Sequence, residues 1–207
     1  MTCVVLVRHG ETVWHAENRY TGSTDVALTD EGRAQAQALG RWAKHAELAA
    51  VYCSDLSRSR DTALPAAEAT VLPLREEPRL RELDFGSGEG LTADEMRERF
   101  PAALQAFRAD PAGNPLPGGE PPAAAVERGL AALREICKRW PDDRVLVVVH
   151  STLIRLLLCE LLGRSISDYR RLFPSVRNCA ITELSFDGEQ VALLQYNVPT
   201  DAERTTR

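Results

Sequence analysis

Two short aliphatic runs, each followed at once by a histidine, constrain the fold of this chain more than any other feature. Residues 3–7 end at Arg8 and His9, and residues 145–149 end at His150. Unbroken runs of aliphatic and β-branched residues are typical of strands that are buried on both faces, as in parallel sheets. Ligands of open parallel sheets bind at the carboxyl ends of the strands, where both histidines lie. The two runs therefore predict a parallel sheet with a polar site at one edge.

The remaining hydrophobic pattern predicts an α/β fold. Thr29 is a candidate cap for the first helix, and Gly163 for the end of a later, largely apolar one. Further strands are predicted at 51–53 and 71–74, helices at 56–67, 93–107, 126–140 and 153–162, and a hairpin of 180–186 and 191–196 around Asp187 and Gly188. Strands that alternate with helices predict a mostly parallel sheet covered on both faces, and the hairpin adds an antiparallel edge.

The length of 207 residues favours a single domain. We predict one domain over 1–198 with a small helical and loop cap at about 91–122, followed by a disordered tail at 199–207. The segment 110–122 is too rich in proline and glycine for a helix or strand. It is interpreted as a surface loop, and an active-site lid is the alternative.

Composition excludes several classes of partner. The net charge of −5 provides no general attraction to nucleic acid or to an anionic membrane, so an anionic substrate needs a local cluster of positive groups. Five cysteines without CxxC spacing argue against a disulfide framework or a structural zinc site and favour a reducing compartment. No signal peptide and no membrane span are recognised, so a cytoplasmic location is predicted.

The residues at three predicted strand ends suit phosphate chemistry. Arg8 and His9 end the first strand, Arg58 follows the second, and His150 ends the long aliphatic run. Arginine guanidinium groups match phosphate oxygens, a neutral imidazole is a competent nucleophile, and a second, protonated imidazole could complement the charge of the transferring group. Arginines beside both histidines disfavour a metal ion, and no dinucleotide, P-loop, nucleophile-elbow or zinc-protease motif is present.

Phosphoryl transfer to a histidine also needs an acid that protonates the leaving oxygen. Three carboxylic acids, Glu82, Asp84 and Glu89, lie in the glycine-rich stretch 80–91 (LRELDFGSGEGL). The residues themselves favour Glu82 only modestly, so all three remain candidates for this role.

The stretch Val7-Arg8-His9-Gly10-Glu11-Thr12 resembles the signature of the histidine phosphatase superfamily, which includes the cofactor-dependent phosphoglycerate mutases. The resemblance covers about residues 3–197. Further blocks follow in the family's order, namely ENRYTG (17–22), LTDEG (28–32), SDLSRSRDTA (54–63), LRELDFG (80–86), and a late histidine at His150.

The resemblance implies a fold and a set of roles. The fold would be a three-layer α/β/α sandwich like that of phosphoglycerate mutase. His9 would become phosphorylated, and Glu82 would donate the proton. Arg8, Arg58 and His150 would complete the phosphate pocket, with Thr21 and Gly22 in contact with the ligand.

Three positions depart from the family's usual pattern. His15 stands where asparagine is usual, Ser151 where glycine follows the late histidine, and Gly88 where tryptophan is frequent. We expect His15 to donate to phosphate, and Ser151 and Thr152 to add contacts to it. Gly88 is expected to remove an aromatic wall. These differences are interpreted as altered substrate specificity.

The sequence thus predicts a metal-independent phosphatase, without a cofactor, that hydrolyses a small phosphorylated metabolite through a phosphohistidine at His9. A phosphoglycerate mutase is the first alternative, and a non-catalytic phosphate-binding module is the second. The substrate and the oligomeric state stay open, with a homodimer as one candidate.

Overall fold

The computed structural model describes residues 1–188 and 190–200, so most of the predicted tail (201–207) lies outside the described residues. The strands are β1 (Thr2–Arg8), β2 (Ala50–Cys53), β3 (Leu74–Glu76), β4 (Arg144–Val149), β5 (Ile181–Asp187) and β6 (Gln190–Val198). The helices are α1 (Asp30–Ala43), α2 (Ser57–Thr70), α3 (Ala93–Arg99), α4 (Pro101–Ala109), α5 (Pro122–Arg139), α6 (Ser151–Leu161) and α7 (Tyr169–Leu172).

The six strands form one mixed sheet in the order β3-β2-β4-β1-β5-β6. The first four strands in this order run parallel, and β5 and β6 pair antiparallel at the other end. The predicted parallel sheet with an antiparallel edge is therefore confirmed. Arg8 lies opposite Val149 in the register of β1 with β4, so His9 and His150 emerge side by side at the carboxyl edge.

Both faces of the sheet are covered by helices. Because side chains alternate along a strand, Val5 and Val7 of β1 pack with Leu39 of α1 and Ala63 of α2. The other face of the sheet packs against α5 and α6, with residues such as Val4, Leu6, Leu133 and Leu153 in its core. This arrangement confirms the three-layer α/β/α sandwich.

The strand predicted at 71–74 is displaced towards the C-terminus. Helix α2 continues to Thr70 and ends at Val71, which adopts a left-handed backbone (φ 56°) and is 91% exposed. The strand β3 begins only at Leu74, after the chain has reversed. Exposure of Val71 shows why hydrophobicity alone placed the strand too early.

The helix predicted at 93–107 is two helices. Phe100, which precedes Pro101, has an extended φ of −148° and separates α3 from α4. A residue before proline is sterically disfavoured in the helical region, and proline itself is well suited to the first position of a helix. The Pro101 ring therefore accounts for both the end of α3 and the start of α4.

The loop after α4 packs against the segment that contains Glu82. The backbone N–H of Ser87 donates to the carbonyl of Pro117 (2.8 Å), and Leu116 is only 2% exposed. A Cβ at Gly88 would lie 2.4 Å from a methyl carbon of Leu116. Leu116 therefore occupies the space next to Gly88, and the expected loss of an aromatic wall at this position stays a prediction.

The predicted cap at 91–122 includes α3, α4 and this loop, and its role as a cap over the site stays a prediction. Within residues 1–188 and 190–200, none of the helices is long and apolar enough to cross a membrane.

Candidate active site

A cavity of about 390 Å³ lies at the carboxyl edge of the sheet, over the end of β1 and the start of α6. It brings together seven of the residues singled out in the sequence, namely Arg8, His9, His15, Thr21, Glu82, Ser151 and Thr152. Arg58 and His150 are fully buried and lie outside its lining. Gly22 also lies outside the lining, and its carbonyl accepts a hydrogen bond from Arg58 (2.6 Å).

His9 is held with one ring nitrogen available. Its Nδ1 lies 2.7 Å from the carbonyl oxygen of Gly10 and therefore carries the proton, which leaves a lone pair on Nε2. The Asn178 side chain donates to the carbonyl of His9 (2.7 Å). Burial, followed by the positive charges of Arg58 and Arg8, holds the pKa of His9 well below its usual value. The imidazole is thus neutral at pH 7, as a nucleophile requires.

Close backbone contact supports the turn that follows His9. A Cβ at Gly10 would lie only 2.5 Å from the carbonyl oxygen of Gly32, so glycine alone fits there. The backbone N–H of Gly10 donates to the Thr62 hydroxyl (2.9 Å), which joins the turn to α2.

Arg8 is fixed by two acceptors. One terminal nitrogen donates to the carbonyl of Val176 and the other to Nε2 of His15, each at 2.7 Å. Burial lowers the pKa of Arg8 to about 10, so the guanidinium remains charged at neutral pH. Burial also lowers the pKa of His15, and the charge of Arg8 acts in the same direction. His15 Nε2 accepts from Arg8 here, and the expected donation of His15 to phosphate stays a prediction.

Arg58 and His150 lie behind the cavity. The terminal nitrogens of Arg58 donate to the carbonyls of Thr24 (2.8 Å) and Gly22 (2.6 Å). Nε2 of His150 lies 2.7 Å from the Ser54 hydroxyl, and its ring centroid is 5.2 Å from that of His9.

The protonation state of His150 follows from its complete burial. Burial, with the charge of Arg58 next in size, holds the pKa of His150 well below its usual value. A protonated His150, as predicted, therefore depends on the negative charge that a bound phosphate brings.

Glu82 joins the cavity to the start of α6. Its Oε1 accepts from the backbone N–H groups of Leu83 and Leu153, and its Oε2 accepts from that of Thr152, each at 2.9 Å. The first N–H groups of a helix have no partner within the helix, and its amino end favours negative charge. A carboxylate offers about four acceptor positions. With one donor on Oε2 and two on Oε1, Oε2 retains a position for a proton.

The geometry separates the three candidate acids, since only Glu82 lines the cavity. The Glu89 carboxylate accepts from the backbone N–H groups of Ser23 (2.8 Å) and Thr24 (2.9 Å) and fixes their loop. Asp84 accepts from the N–H of Gly86 (2.7 Å). Both therefore hold backbone turns.

Arg155 and Arg170 also line the cavity. Arg155 lies one helical turn beyond His150, and the sequence gave no signal for Arg170. Arg170 begins no motif and lies on the four-residue helix α7, so only the fold brings it to the site. Trp14, Asn18 and Phe85 complete the residues in the lining that sequence reasoning did not select.

A three-layer α/β sandwich that places a neutral buried histidine, buried arginines and a carboxyl group at the ends of its parallel strands defines an enzyme of phosphoryl transfer. The chain belongs to the histidine phosphatase superfamily, branch 1, which it matches over residues 4–199. The resemblance inferred from the sequence motifs is confirmed by this match.

Named relatives include both phosphatases and mutases. Phosphoserine phosphatase 1 of Hydrogenobacter thermophilus is 34% identical over 169 residues, which cover 82% of this chain and 80% of the relative. A probable phosphoglycerate mutase of Erwinia tasmaniensis is 34% identical over 185 residues, covering 89% and 85% of the two chains. The solved structure of a mycobacterial glucosyl-3-phosphoglycerate phosphatase with VO3 superposes with a TM-score of 0.86 at 30% identity, covering 95% of this chain and 99% of that one.

Proposed function

We propose that the chain is a metal-independent phosphatase that hydrolyses a small phosphate monoester through a phosphohistidine at His9. The observation that carries the proposal is the hydrogen bond from His9 Nδ1 to Gly10, which leaves Nε2 unprotonated beside Arg8 and Glu82 in one cavity. The phosphatase names among the relatives support the same reaction.

In the first step, Nε2 of His9 attacks phosphorus and the bond from phosphorus to the ester oxygen breaks. The protonated Glu82 carboxyl, through Oε2, gives its proton to the leaving oxygen, so the alcohol departs neutral. Arg8 and Arg58 stabilise the charge on the transferring group.

In the second step, water attacks the phosphohistidine while the Glu82 carboxylate takes up a proton from it. The bond from phosphorus to Nε2 breaks, inorganic phosphate is released, and both Glu82 and His9 return to their starting protonation states. The same carboxyl group therefore acts as acid and then as base.

Ser151, Thr152 and Thr21 are assigned binding rather than chemical roles. Ser151 and Thr152 are proposed to contact the phosphate from the start of α6. Thr21 lines the cavity, and its hydroxyl donates to the carbonyl of Arg19 (3.1 Å), so we assign it a contact with the remainder of the substrate. Gly22 acts through its carbonyl, which orients Arg58.

The proposed ligand is a small phosphorylated metabolite, and neither nucleic acid nor a membrane is proposed as a partner. The cavity volume is in the range of small-molecule sites. We also propose a cytoplasmic location and a homodimer.

The test is to trap the intermediate. A radiolabelled monoester is mixed with enzyme, quenched in alkali during turnover, and the labelled peptide is mapped. We expect an alkali-stable, acid-labile label on the peptide that contains His9, none in His9→Ala, and normal labelling in a variant of the exposed His45. A label on another residue, or turnover by His9→Ala, would overturn the proposal.

A phosphoglycerate mutase is the second candidate because several relatives, such as that of Erwinia tasmaniensis, carry that name. A mutase would return the phosphoryl group to another hydroxyl before water reaches it. Incubation with 3-phosphoglycerate and its bisphosphate cofactor separates the two reactions. Release of phosphate faster than isomer exchange supports the phosphatase, whereas the reverse supports the mutase.

A further inference from the structure

Within the described part of the chain, no carboxylate forms an ion pair with Arg155 or Arg170, in contrast to Arg19 of the same cavity. Arg19, which also lines the cavity, is paired with Glu17 (2.7 Å) and Glu95 (2.8 Å). Arg155 and Arg170 form no such ion pair among residues 1–188 and 190–200. Their charges are therefore available to a ligand.

Both side chains are oriented in advance by the same kind of contact. Nε of Arg155 donates to the carbonyl of Ser151 (3.1 Å), and its guanidinium carbon lies 4.9 Å from the centre of the Tyr169 ring. Nε of Arg170 donates to the Tyr169 hydroxyl (2.9 Å), and its guanidinium carbon lies 4.7 Å from the centre of the Phe107 ring.

These contacts use Nε and the faces of the guanidinium planes. The terminal nitrogens of both arginines have no hydrogen-bond partner in the described structure and remain free. The terminal N–H groups of arginine lie in one plane and form bidentate hydrogen bonds with carboxylate or phosphate. Stacking on an aromatic ring already restricts each side chain before a ligand binds. Binding therefore costs less conformational entropy.

The charges needed for the reaction are already present without these two residues. Arg8 and Arg58 complement the transferring phosphoryl group. Glu82, the acidic residue that the described part of the chain places in the lining, is held by three backbone N–H groups. Burial lowers the pKa of Arg155, so an uncompensated guanidinium is costly there. An anionic ligand group would remove that cost.

We propose that Arg155 and Arg170 form a second anion site, and that the substrate carries a carboxylate or a second phosphate in addition to the ester that is cleaved. This inference rests on the proposed phosphatase function and specifies its substrate class. A cavity of about 390 Å³ accommodates one small molecule that carries both anionic groups.

Matched substrates test the proposal. One pair is 3-phosphoglycerate and glycerol 3-phosphate, which differ in the carboxylate, and the other is propane-1,3-diol bisphosphate and its monophosphate. We expect kcat/KM to be at least about tenfold higher for the more anionic member of one pair, as one charge-assisted bidentate contact provides. The pair that shows the difference identifies the anion as a carboxylate or as a phosphate.

Variants assign the effect to the two arginines. Arg170→Gln and Arg155→Gln should bring the ratio within a pair close to one and leave turnover of p-nitrophenyl phosphate within about twofold, because that ester lacks a second anion. Arg170→Lys and Arg155→Lys, which keep the charge, should retain part of the preference. The matched control is Arg171→Gln, since Arg171 is the next residue, 70% exposed and paired with Asp168.

Equal kcat/KM within both pairs for the wild-type enzyme, or an unchanged preference in both Gln variants, would overturn the second anion site. Calorimetric binding of the same four compounds to His9→Ala, which cannot form the phosphohistidine, gives an independent readout. If binding shows the preference but the wild-type enzyme turns over none of the esters, the anion site is supported and the phosphatase function is refuted. If the wild-type enzyme turns over p-nitrophenyl phosphate but shows no preference for the more anionic compounds, the phosphatase function is supported and the anion site is refuted.

Discussion

At the scale of the residue, Glu82 has a position that neither Asp84 nor Glu89 can replace, because it alone of the three lines the cavity. We therefore predict that Glu82→Gln lowers turnover of alkyl phosphates by about 10²- to 10⁴-fold, the usual contribution of a positioned acid. The loss on aryl phosphates should be much smaller, since phenolates leave without full protonation. Steady-state kinetics on phosphoserine and p-nitrophenyl phosphate measure the difference.

Asp84→Asn is the control for this prediction, because the Asp84 side chain holds the turn at Gly86 and should affect both substrates alike. If Glu82→Gln reduces turnover of the two substrates equally, the acid role moves to another group.

At the scale of the element, helix α2 ends at a residue type that is unfavourable for the backbone conformation it adopts. Val71 has a left-handed backbone, which is unfavourable for a β-branched residue by about 1–2 kcal/mol. We predict that Val71→Gly raises the free energy of unfolding by about 1 kcal/mol, because glycine adopts this conformation without a steric cost. Urea unfolding followed by circular dichroism measures the change.

Val13→Gly is the matched control, since Val13 is also an exposed valine (51%) but has no positive φ. That substitution should lower stability, because it only adds freedom to the unfolded chain. Equal effects at both positions would refute the explanation based on backbone strain.

Elements with a strong periodic or β-branched signal could be predicted from the sequence, whereas their ends could not. The runs that became β1 and β4 are long, aliphatic and buried, so their position and their histidines followed directly. The break at Pro101 and the reversal at Val71 depend on backbone geometry that hydrophobicity does not report.

The same distinction applies to the site. His9 and Arg58 lie next to strands or in motifs and were predicted, as was the preference for Glu82. The position of Arg170 depends on how α7 packs, and the contact between Leu116 and Gly88 joins residues 28 positions apart. Neither the position of Arg170 nor the contact between Leu116 and Gly88 can be predicted from the residues next to them in the sequence.

At the scale of the whole molecule, the two buried histidines couple stability to pH. The pKa values of His9 and His150 lie well below the value of about 6.5 in an unfolded chain. Below that value the unfolded chain binds more protons than the folded protein, so the free energy of unfolding decreases as pH falls. Between about pH 7 and about pH 5.5 we expect these two histidines to remove about 2–3 kcal/mol, about half from each, and the lowered pKa of His15 acts in the same direction.

Urea titrations at the two pH values test this coupling. His150→Gln should remove the contribution of that histidine, about 1 kcal/mol of the loss, and His45→Gln, at an exposed position, is the control. An unaltered slope in His150→Gln would show that other groups cause the loss.

The reaction as a whole is expected to proceed without a divalent ion. Arg8 and Arg58 provide positive charge at the site where many phosphatases use metals. We predict that prolonged dialysis against EDTA leaves kcat and KM unchanged. Loss of turnover that Mg²⁺ or Zn²⁺ restores would contradict the proposed mechanism.

The three N–H bonds to Glu82 have a consequence for sequence comparison. This side chain anchors the beginning of α6, and a typical cap of this kind contributes about 0.5–2 kcal/mol to stability. A descendant that no longer catalysed the reaction would therefore still be selected to keep the glutamate for folding. Among residues 1–188 and 190–200, the His9 ring makes one hydrogen bond, to its neighbour Gly10, so its loss would be tolerated sooner. Retention of the histidine is consequently the better criterion for separating active homologues from inactive ones.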